Sequence, residues 1–330
     1  MMIEQGLPQV DKHKVVVLTI TYNHSKYIED TLKGFAMQQT EFPFLCCVFD
    51  DASTDGEQEV LKKWIENHCN SNEIEVYDHP LTIILKAPDK NNPNCIYVIH
   101  LQKVNTWGKP EKRDLIDYWK QFGEYIALCE GDDYWIDPLK LQKQVDFMDA
   151  NPKCSMSFHK VKVDAESHED YRKSLYDNLE EREYTSLEIF SCWCVPTASV
   201  VIRKGIPIIR DPRFVVGDNP LFLSCAKAGK VYCMSTKVMA AYRLLSSGAV
   251  SSGFEWRKQI EHFVAISEHF GNAELNEEVK GMILSVYVNA FLNGKFSLKS
   301  IRVLYKLCSS NIEILPAFIR RVFAQLSEKW

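Results

Sequence analysis

From this sequence we expect neither an export signal nor a membrane-spanning helix. Its first residues, MMIEQGLPQVDKHK, contain no apolar signal core, and no run of 18 apolar residues occurs. An excess of positive charge is also missing, because 39 Lys and Arg stand against 44 Asp and Glu, for a formal net charge of −5. We therefore expect a cytoplasmic protein. Nucleic acid is disfavoured as a partner, since general binding to it requires a broad positive field.

Cysteine is plentiful, with eleven residues, but the spacings of a metal-binding domain are absent. The nearest pairs are Cys46 with Cys47 and Cys192 with Cys194, and neither a C-x2-C pair nor a matching histidine pair accompanies them. Disulfides do not persist in a reducing cytoplasm. We therefore predict buried free thiols.

Strand-like and helix-like patterns alternate over the first 150 residues. Val15–Thr21, Phe44–Phe49 and Tyr125–Cys129 are apolar, β-rich runs. Apolar residues recur at helical spacing after the first two runs, and Ser25 is the expected cap of the first helix. Residues 70–110 predict only short strands and loops. This alternation predicts an α/β fold, a three-layer Rossmann-like domain with a mostly parallel central sheet, followed by a C-terminal helical extension.

Carboxylates follow two of these strands at the point where each strand ends. Asp51 follows the second strand, and Glu130, Asp132 and Asp133 follow the third. Open α/β sheets bind ligands at this edge. Two interpretations are open: a solvated acidic turn, or a site for a divalent cation. Neither G-x-G-x-x-G nor G-x-x-x-x-G-K-[ST] is present to cradle phosphates, so a phosphate ligand here would need a bridging Mg²⁺ or Mn²⁺ ion.

Three motifs occur in a fixed order along the chain. They are Thr21-Tyr22-Asn23, the segment DDASTD from Asp50 to Asp55, and the segment EGDDYW from Glu130 to Trp135. Together they resemble the motifs of family 2 glycosyltransferases of bacterial polysaccharide assembly, which are inverting enzymes with the A-type nucleotide-sugar fold. The resemblance covers about residues 15–250. It implies a nucleotide-sugar donor, for which we favour a UDP-sugar, and a glycan or lipid-linked glycan acceptor.

The resemblance also implies roles for individual residues. The segment Thr21–Asn23 and Asp51 would bind the nucleoside of the donor. Asp132 and Asp133 would bind the diphosphate and a divalent cation, Mn²⁺ or Mg²⁺, with Asp133 as the preferred direct ligand of the metal.

A separate carboxylate, Asp218, lies in the segment VVGDNPLF. The residues alone allow two interpretations, a helix N-cap or a catalytic acid, since Asp before Asn-Pro and an apolar run is a good cap. Family members have a G-D or E-D motif here. The resemblance therefore implies that Asp218 is the general base that deprotonates the acceptor hydroxyl as it attacks the anomeric carbon.

Tyr242-Arg243 resembles the start of a Y-R-x-H-x-x-G element found near the diphosphate in many relatives, but Leu245 stands in place of the histidine. Two roles stay open for Arg243: contact with the donor phosphates, or a structural ion pair. Three further residues lie in the segment that borders the acceptor pocket in the family, and they are candidates for sugar contacts: Trp193, Thr197 and Ser199.

We predict a catalytic domain over residues 1–253, with a nucleotide-sugar-binding half (15–150) and an acceptor-binding half (151–253), and a helical region over 254–330. From Lys295 onward, seven Lys and Arg stand against two Glu, interleaved with apolar residues. This amphipathic basic pattern is typical either of helices that pack on the catalytic domain or of peripheral contact with the inner face of a membrane.

Two functions from different classes follow from the sequence. The first is an inverting, metal-dependent glycosyltransferase of polysaccharide biosynthesis. The second is a catalytically silent partner subunit of the same fold that binds nucleotide-sugar or glycan, which Leu245 favours. An NAD-dependent enzyme and a nucleotidyltransferase are disfavoured, because no glycine-rich loop follows the first strand.

Overall fold

A computed structural model of the chain describes residues 6–165, 176–245 and 255–292. Within these ranges the strands are β1 (His13–Thr21), β2 (Phe44–Asp50), β3 (Glu75–His79), β4 (Thr82–Pro88), β5 (Cys95–Gln102), β6 (Gly123–Leu128), β7 (Tyr134–Trp135), β8 (Cys154–Ala165), β9 (Arg182–Tyr184), β10 (Val201–Arg203) and β11 (Lys230–Leu244). The α-helices are α1 (Ile28–Ala36), α2 (Glu57–His68), α3 (Pro110–Lys120), α4 (Lys140–Ala150), α5 (Ser186–Ser191), α6 (Asp218–Ala228), α7 (Trp256–Phe270) and α8 (Ala273–Leu292).

The middle of the sheet is parallel. The strand order is β3-β4-β5-β2-β1-β6-β10-β8-β11-β7, with β9 beside β11. β5, β2, β1 and β6 run in one direction, so that Thr21 at the end of β1 pairs with Asp50 at the end of β2, and Leu18 pairs with Leu128 at the end of β6. Every residue of β2 is buried, as expected for a central parallel strand. The segments that follow β1, β2 and β6 therefore leave the sheet at the same edge.

The flanks of the sheet contain antiparallel pairs. β3, β4 and β5 form an antiparallel meander on one side. On the other side β10 is antiparallel to β6 and β8, and β11 is parallel to β8 and antiparallel to β7 and β9. The predicted α/β class, with a parallel-stranded core and C-terminal helices, is confirmed. The antiparallel pairs in the flanks of the sheet were not predicted from the sequence.

One helix boundary was predicted wrongly. Helix α1 begins at Ile28 with Tyr27 at its N-cap, and no side chain caps it. Ser25 instead donates its backbone N–H to the Asp55 carboxylate at 2.9 Å, because the loop after β1 contacts the loop after β2.

The described residues separate into two compact units. The first consists of the described parts of Met1–Thr185, Cys192–Pro207 and Cys225–Ser246 and contains the whole sheet. The second consists of the described parts of Ser186–Ser191, Ile208–Ser224 and Ser247–Trp330. The predicted boundary at residue 253 stays a prediction.

The second unit is a small helical assembly. Phe190 of α5 packs edge-on against Phe263 of α7, with ring centroids 6.0 Å apart. Phe214 contacts the His262 ring in the same way, at 5.7 Å, and Asp211 pairs with His269 at 2.9 Å. Among the described helices none has the length and apolar character needed to cross a membrane. The basic segment from Lys295, for which we predicted membrane contact or packing, lies outside the described residues.

Candidate functional site

A compact group of carboxylates lies on the turn between β6 and β7. One oxygen from each of Glu130, Asp132 and Asp133 lies within 4.8 Å of the others. Asp133 is fully buried; its Oδ1 accepts the backbone N–H of Arg243 at 2.8 Å, whereas its Oδ2 has no hydrogen-bond partner among the described residues. Burial raises the pKa of the Asp133 carboxyl well above its usual range, and the charges of Asp132 and Glu130 raise it further.

This group fits a divalent cation. Mg²⁺ and Mn²⁺ bind carboxylate oxygens, and one or two carboxylates are enough when a phosphate and water complete the shell. A cation at this turn would give the orphaned Oδ2 of Asp133 a partner. It would also offset the repulsion between the carboxylates. Burial already disfavours their charged forms, and it raises the pKa of Asp132 as well.

The acidic turn is held against β1 and α1. A Cβ on Gly131 would lie 2.1 Å from Oγ1 and 2.4 Å from Cβ of Thr21, so only glycine allows this approach. The Thr31 hydroxyl lies 3.1 Å from the carbonyl oxygen of Gly131 and 2.5 Å from that of Asp133, and it donates its hydrogen bond to them. The positions of the carboxylates are therefore set by neighbouring backbone.

Arg243 lies at the end of β11, beside this turn. Its guanidinium donates to the Asp132 carbonyl at 3.0 Å and to the Asp30 carboxylate at 2.6 Å. The guanidinium carbon lies 5.0 and 4.4 Å from the ring centroids of Tyr27 and Tyr134. The structure thus places Arg243 in an ion pair, one of its two predicted roles, and next to the residues predicted to bind the diphosphate.

The loop after β1 is built on a buried carboxylate that sequence reasoning missed. Glu57 of α2 has no exposed surface; it accepts the hydroxyl of Thr21, the backbone N–H of His24 at 2.8 Å and the hydroxyl of Ser53 at 2.9 Å. Burial raises the pKa of Glu57, against the opposing effect of these hydrogen bonds. The His24 ring in turn has Nδ1 3.3 Å from Thr21 Oγ1 and Nε2 3.9 Å from Asp132 Oδ2.

The first two sequence motifs contact each other through Asn23. This residue has φ +59°, in the left-handed region that asparagine tolerates. Its side-chain oxygen accepts the backbone N–H of Thr54 at 2.8 Å, and its own N–H donates to Ser53 Oγ at 2.9 Å. The neighbouring Tyr22 side chain is 45% exposed, so a ligand at this edge can reach it.

Asp51 is buried and already hydrogen-bonded. Its Oδ1 accepts the backbone N–H and the hydroxyl of Thr106 at 2.7 and 2.9 Å, and its Oδ2 accepts Nζ of Lys112 at 2.8 Å. Lys112 Nζ lies 5.3 Å from the ring centroid of Trp107, which is 71% exposed. Asp51 therefore fixes the β5–α3 loop, which carries the exposed ring of Trp107.

The structure brings most predicted site residues together at one sheet edge of the first unit: Thr21, Tyr22, Asn23, Asp51, Asp132, Asp133 and Arg243. Asp218 is the first residue of α6 and belongs to the second unit. Of the predicted sugar contacts, Trp193 is 41% exposed, whereas Ser199 is fully buried and donates its hydroxyl to the Pro196 carbonyl at 2.7 Å.

Part of the chain matches a known protein family, and a larger part matches individual known proteins. Residues 16–82 match the model of the family described as "Glycosyl transferase family 2". The uncharacterized protein Rv1520 of Mycobacterium tuberculosis (strain ATCC 25618 / H37Rv) is 31% identical over 246 residues, which cover 74% of this chain and 62% of that protein. The "Putative teichuronic acid biosynthesis glycosyltransferase TuaG" of Bacillus subtilis (strain 168) is 24% identical over 251 residues, 75% of this chain and 86% of TuaG.

Two solved structures share the fold. S. aureus TarS 1-349 in complex with UDP-GlcNAc has a TM-score of 0.54 and 19% identity, over 94% of this chain and 81% of that chain. The mannosyltransferase PcManGT from Pyrobaculum calidifontis, in complex with GDP-Man and Mn²⁺, has a TM-score of 0.50 and 14% identity, over 96% of this chain and 84% of that chain. The chain spans less than two thirds of the M. tuberculosis protein, and its likeness to the two structures concerns the fold alone.

Proposed function

We propose that this chain, whose residues 16–82 match the model of glycosyl transferase family 2, transfers a sugar, with inversion, from a nucleotide-sugar to a glycan or lipid-linked glycan acceptor in polysaccharide biosynthesis. The observation that carries the proposal is the cluster of three carboxylates, from Glu130, Asp132 and Asp133. It lies at the edge of the sheet where the parallel strands end. The nucleotide-sugars bound by TarS and PcManGT support such a donor. We favour a UDP-sugar. The name of TuaG supports a polysaccharide product.

The donor would bind at the edge formed by the ends of β1, β2 and β6. Tyr22, Asn23 and Asp51 would hold the nucleoside, with Asp51 acting in part through the β5–α3 loop that it fixes. Asp133 and Asp132 would hold Mn²⁺ or Mg²⁺ against the diphosphate. When bound there, the cation neutralises charge that develops on the leaving nucleoside diphosphate. The Mn²⁺ in the PcManGT complex supports this choice of ions.

Asp218 would be the general base. Its carboxylate would accept the proton of the acceptor hydroxyl while that oxygen forms the new bond to the anomeric carbon. The bond from that carbon to the diphosphate oxygen breaks on the opposite face, so the configuration inverts and the electron pair leaves with the diphosphate.

The test is calorimetric binding of UDP-, GDP- and dTDP-sugars, first with Mn²⁺ and then with a chelator. We expect one nucleotide class to bind only with the metal. Asp133→Ala should abolish that binding, whereas Asp218→Asn should keep it and stop transfer. Transfer at the native rate by Asp218→Asn would refute the base assignment, and loss of donor binding in that variant would place Asp218 in the nucleotide site.

A second candidate function is a silent partner subunit that binds nucleotide-sugar without transferring it. Leu245 in place of the family's histidine and the engagement of Arg243 by Asp30 favour it. Metal-dependent donor binding without transfer to any glycan or lipid-linked glycan, and without release of free nucleoside diphosphate, would support this function over the first. In either case we place the protein in the cytoplasm, at the inner face of the membrane if the segment from Lys295 binds lipid.

A further inference from the structure

The contacts of His24 leave one ring nitrogen available as a ligand. The hydroxyl of Thr21 donates to the buried carboxylate of Glu57. Thr21 Oγ1 lies 3.3 Å from His24 Nδ1 and, with its own proton directed to Glu57, accepts a hydrogen bond from a protonated Nδ1. In that tautomer the lone pair of Nε2 can bind a cation.

That lone pair lies on the side of the acidic turn. His24 Nε2 is 3.9 Å from Oδ2 of Asp132. This separation is too long for a hydrogen bond. Two ligands of one divalent ion, each about 2.1 Å from it, lie roughly 3 to 4 Å from each other. The spacing of the two atoms therefore allows both to bind one cation.

The surroundings of His24 also match those of a metal ligand. A metal-binding histidine almost always donates its other ring N–H to an oxygen, which fixes the orientation of the ring. Thr21 Oγ1 supplies that oxygen, and the Glu57 carboxyl group bonds Thr21 in turn. The backbone of His24 is held as well, since its N–H donates to Glu57 at 2.8 Å. The ring is therefore held by a contact at Nδ1 and by its own backbone.

We propose that His24 is a nitrogen ligand of the divalent cation. It would replace the histidine of the family's Y-R-x-H-x-x-G element, where this chain has Leu245. The inference rests on the proposed function, which puts the cation on Asp132 and Asp133. A second observation points to a cation at this turn: Oδ2 of the fully buried Asp133 has no partner in the described part of the chain. An imidazole ligand favours Mn²⁺ over Mg²⁺, because Mg²⁺ prefers oxygen.

The test is pulsed electron paramagnetic resonance of the full chain with Mn²⁺ alone and with Mn²⁺ and UDP. The wild type should show the hyperfine coupling of a directly bound imidazole nitrogen, and His24→Gln should lose it. Calorimetry should show a Kd for Mn²⁺ that is about tenfold higher or more in His24→Gln. The Kd for Mg²⁺ should change less. His68→Gln is the matched control, because His68 is a half-buried histidine bonded to the Trp64 carbonyl.

The outcomes separate this inference from the function on which it rests. Mn²⁺ binding that depends on Asp133 but shows no nitrogen coupling, with native affinity in His24→Gln, would overturn the inference and leave the proposed metal site standing. Absence of Mn²⁺ binding by the wild type, with and without UDP, would overturn both. If His24→Gln does not fold, His24→Asn makes the same test, and a wild-type spectrum without nitrogen coupling overturns the inference by itself.

Discussion

The backbone N–H of Arg243 donates a 2.8 Å hydrogen bond to Oδ1 of Asp133, although 110 residues separate the two in sequence. The bond exists because the β7 residues that follow the acidic turn pair with Ala240 and Ala241 of β11. The end of β11 thus supports the carboxylate predicted to bind metal. The proposed donor site therefore combines residues that are distant in the sequence of the first unit.

Replacement of the Arg243 side chain should destabilise the protein more than it weakens metal binding. Arg243→Gln removes the bonds to Asp30 and to the Asp132 carbonyl but keeps the backbone bond to Asp133. We expect a loss of about 1 to 3 kcal/mol in the free energy of unfolding, measured with urea. The Kd for Mn²⁺ should change less than about threefold, because the backbone donor remains.

The control for this variant is Arg113→Gln, which removes an exposed partner of Asp114. It should leave stability within about 0.5 kcal/mol of the wild type. If Arg243→Gln kept native stability and lost UDP binding, the phosphate role of Arg243 would be correct and the ion-pair role secondary.

A methyl group at residue 131 should displace the acidic turn. In Gly131→Ala the new Cβ would meet Thr21 at 2.1 Å unless backbone moves. We expect the turn to shift from β1, with a loss of about 1 to 3 kcal/mol in stability. The Kd for Mn²⁺ should rise, since the carboxylates leave their places beside His24. Calorimetric titration checks this, and native Mn²⁺ affinity would show that close contact with Thr21 is dispensable.

The ion pair of Asp51 and Lys112 should behave as one buried unit. The two side chains are 1% and 7% exposed, and Asp51→Asn or Lys112→Met leaves a buried charge without its partner. Each single change should cost about 3 to 5 kcal/mol. The double variant should cost clearly less than the sum, and a double-mutant cycle in urea measures the difference. Additive losses would mean that the pair is not coupled.

Lys140 should make stability rise with pH. It is fully buried, donates to Gln144 at 2.8 Å and lies 4.1 Å from the Trp135 ring centroid; burial lowers its pKa to about 7. In the unfolded chain a lysine keeps its pKa near ~10.4. Between these values the unfolded state binds a proton that the folded state does not, so the free energy of unfolding increases with pH in this window.

The measurement compares wild type with Lys140→Met by urea unfolding in reducing buffer from pH ~7 to ~10. The stability of the wild type should rise relative to that of the variant over this range. A constant difference would show that Lys140 stays protonated in the folded protein.

The sequence was sufficient to predict the parallel core and the carboxylates at its edge. β1, β2 and β6 are short apolar runs that stop at polar residues, and local patterns of this kind identify buried strands. Helical spacing after the first two runs then implied crossovers and hence parallel pairing. Thr21, Asp51 and Asp132 could be placed at one edge for this reason, without knowledge of any contact between them.

The supporting contacts could not be predicted, because their partners are distant in the chain. Glu57 bonds Thr21 across 36 residues, and Arg243 bonds Asp133 across 110. His24 follows the Thr21–Asn23 motif but carries no pattern of its own, and its proximity to Asp132 depends on the packing of Gly131. The failed Ser25 cap has the same cause, since tertiary contact with Asp55 prevailed over a local preference.

The second unit is assembled from separated stretches of chain, and this limits where the protein can be shortened. A chain ended at residue 246 would retain Phe190 and Phe214 but lose α7, which supplies their aromatic partners Phe263 and His262. Phe190 is only 1% exposed in the intact unit. Exposed rings of this kind promote aggregation. A shortened version for crystallisation or binding assays should therefore retain α7, even though the whole sheet precedes it.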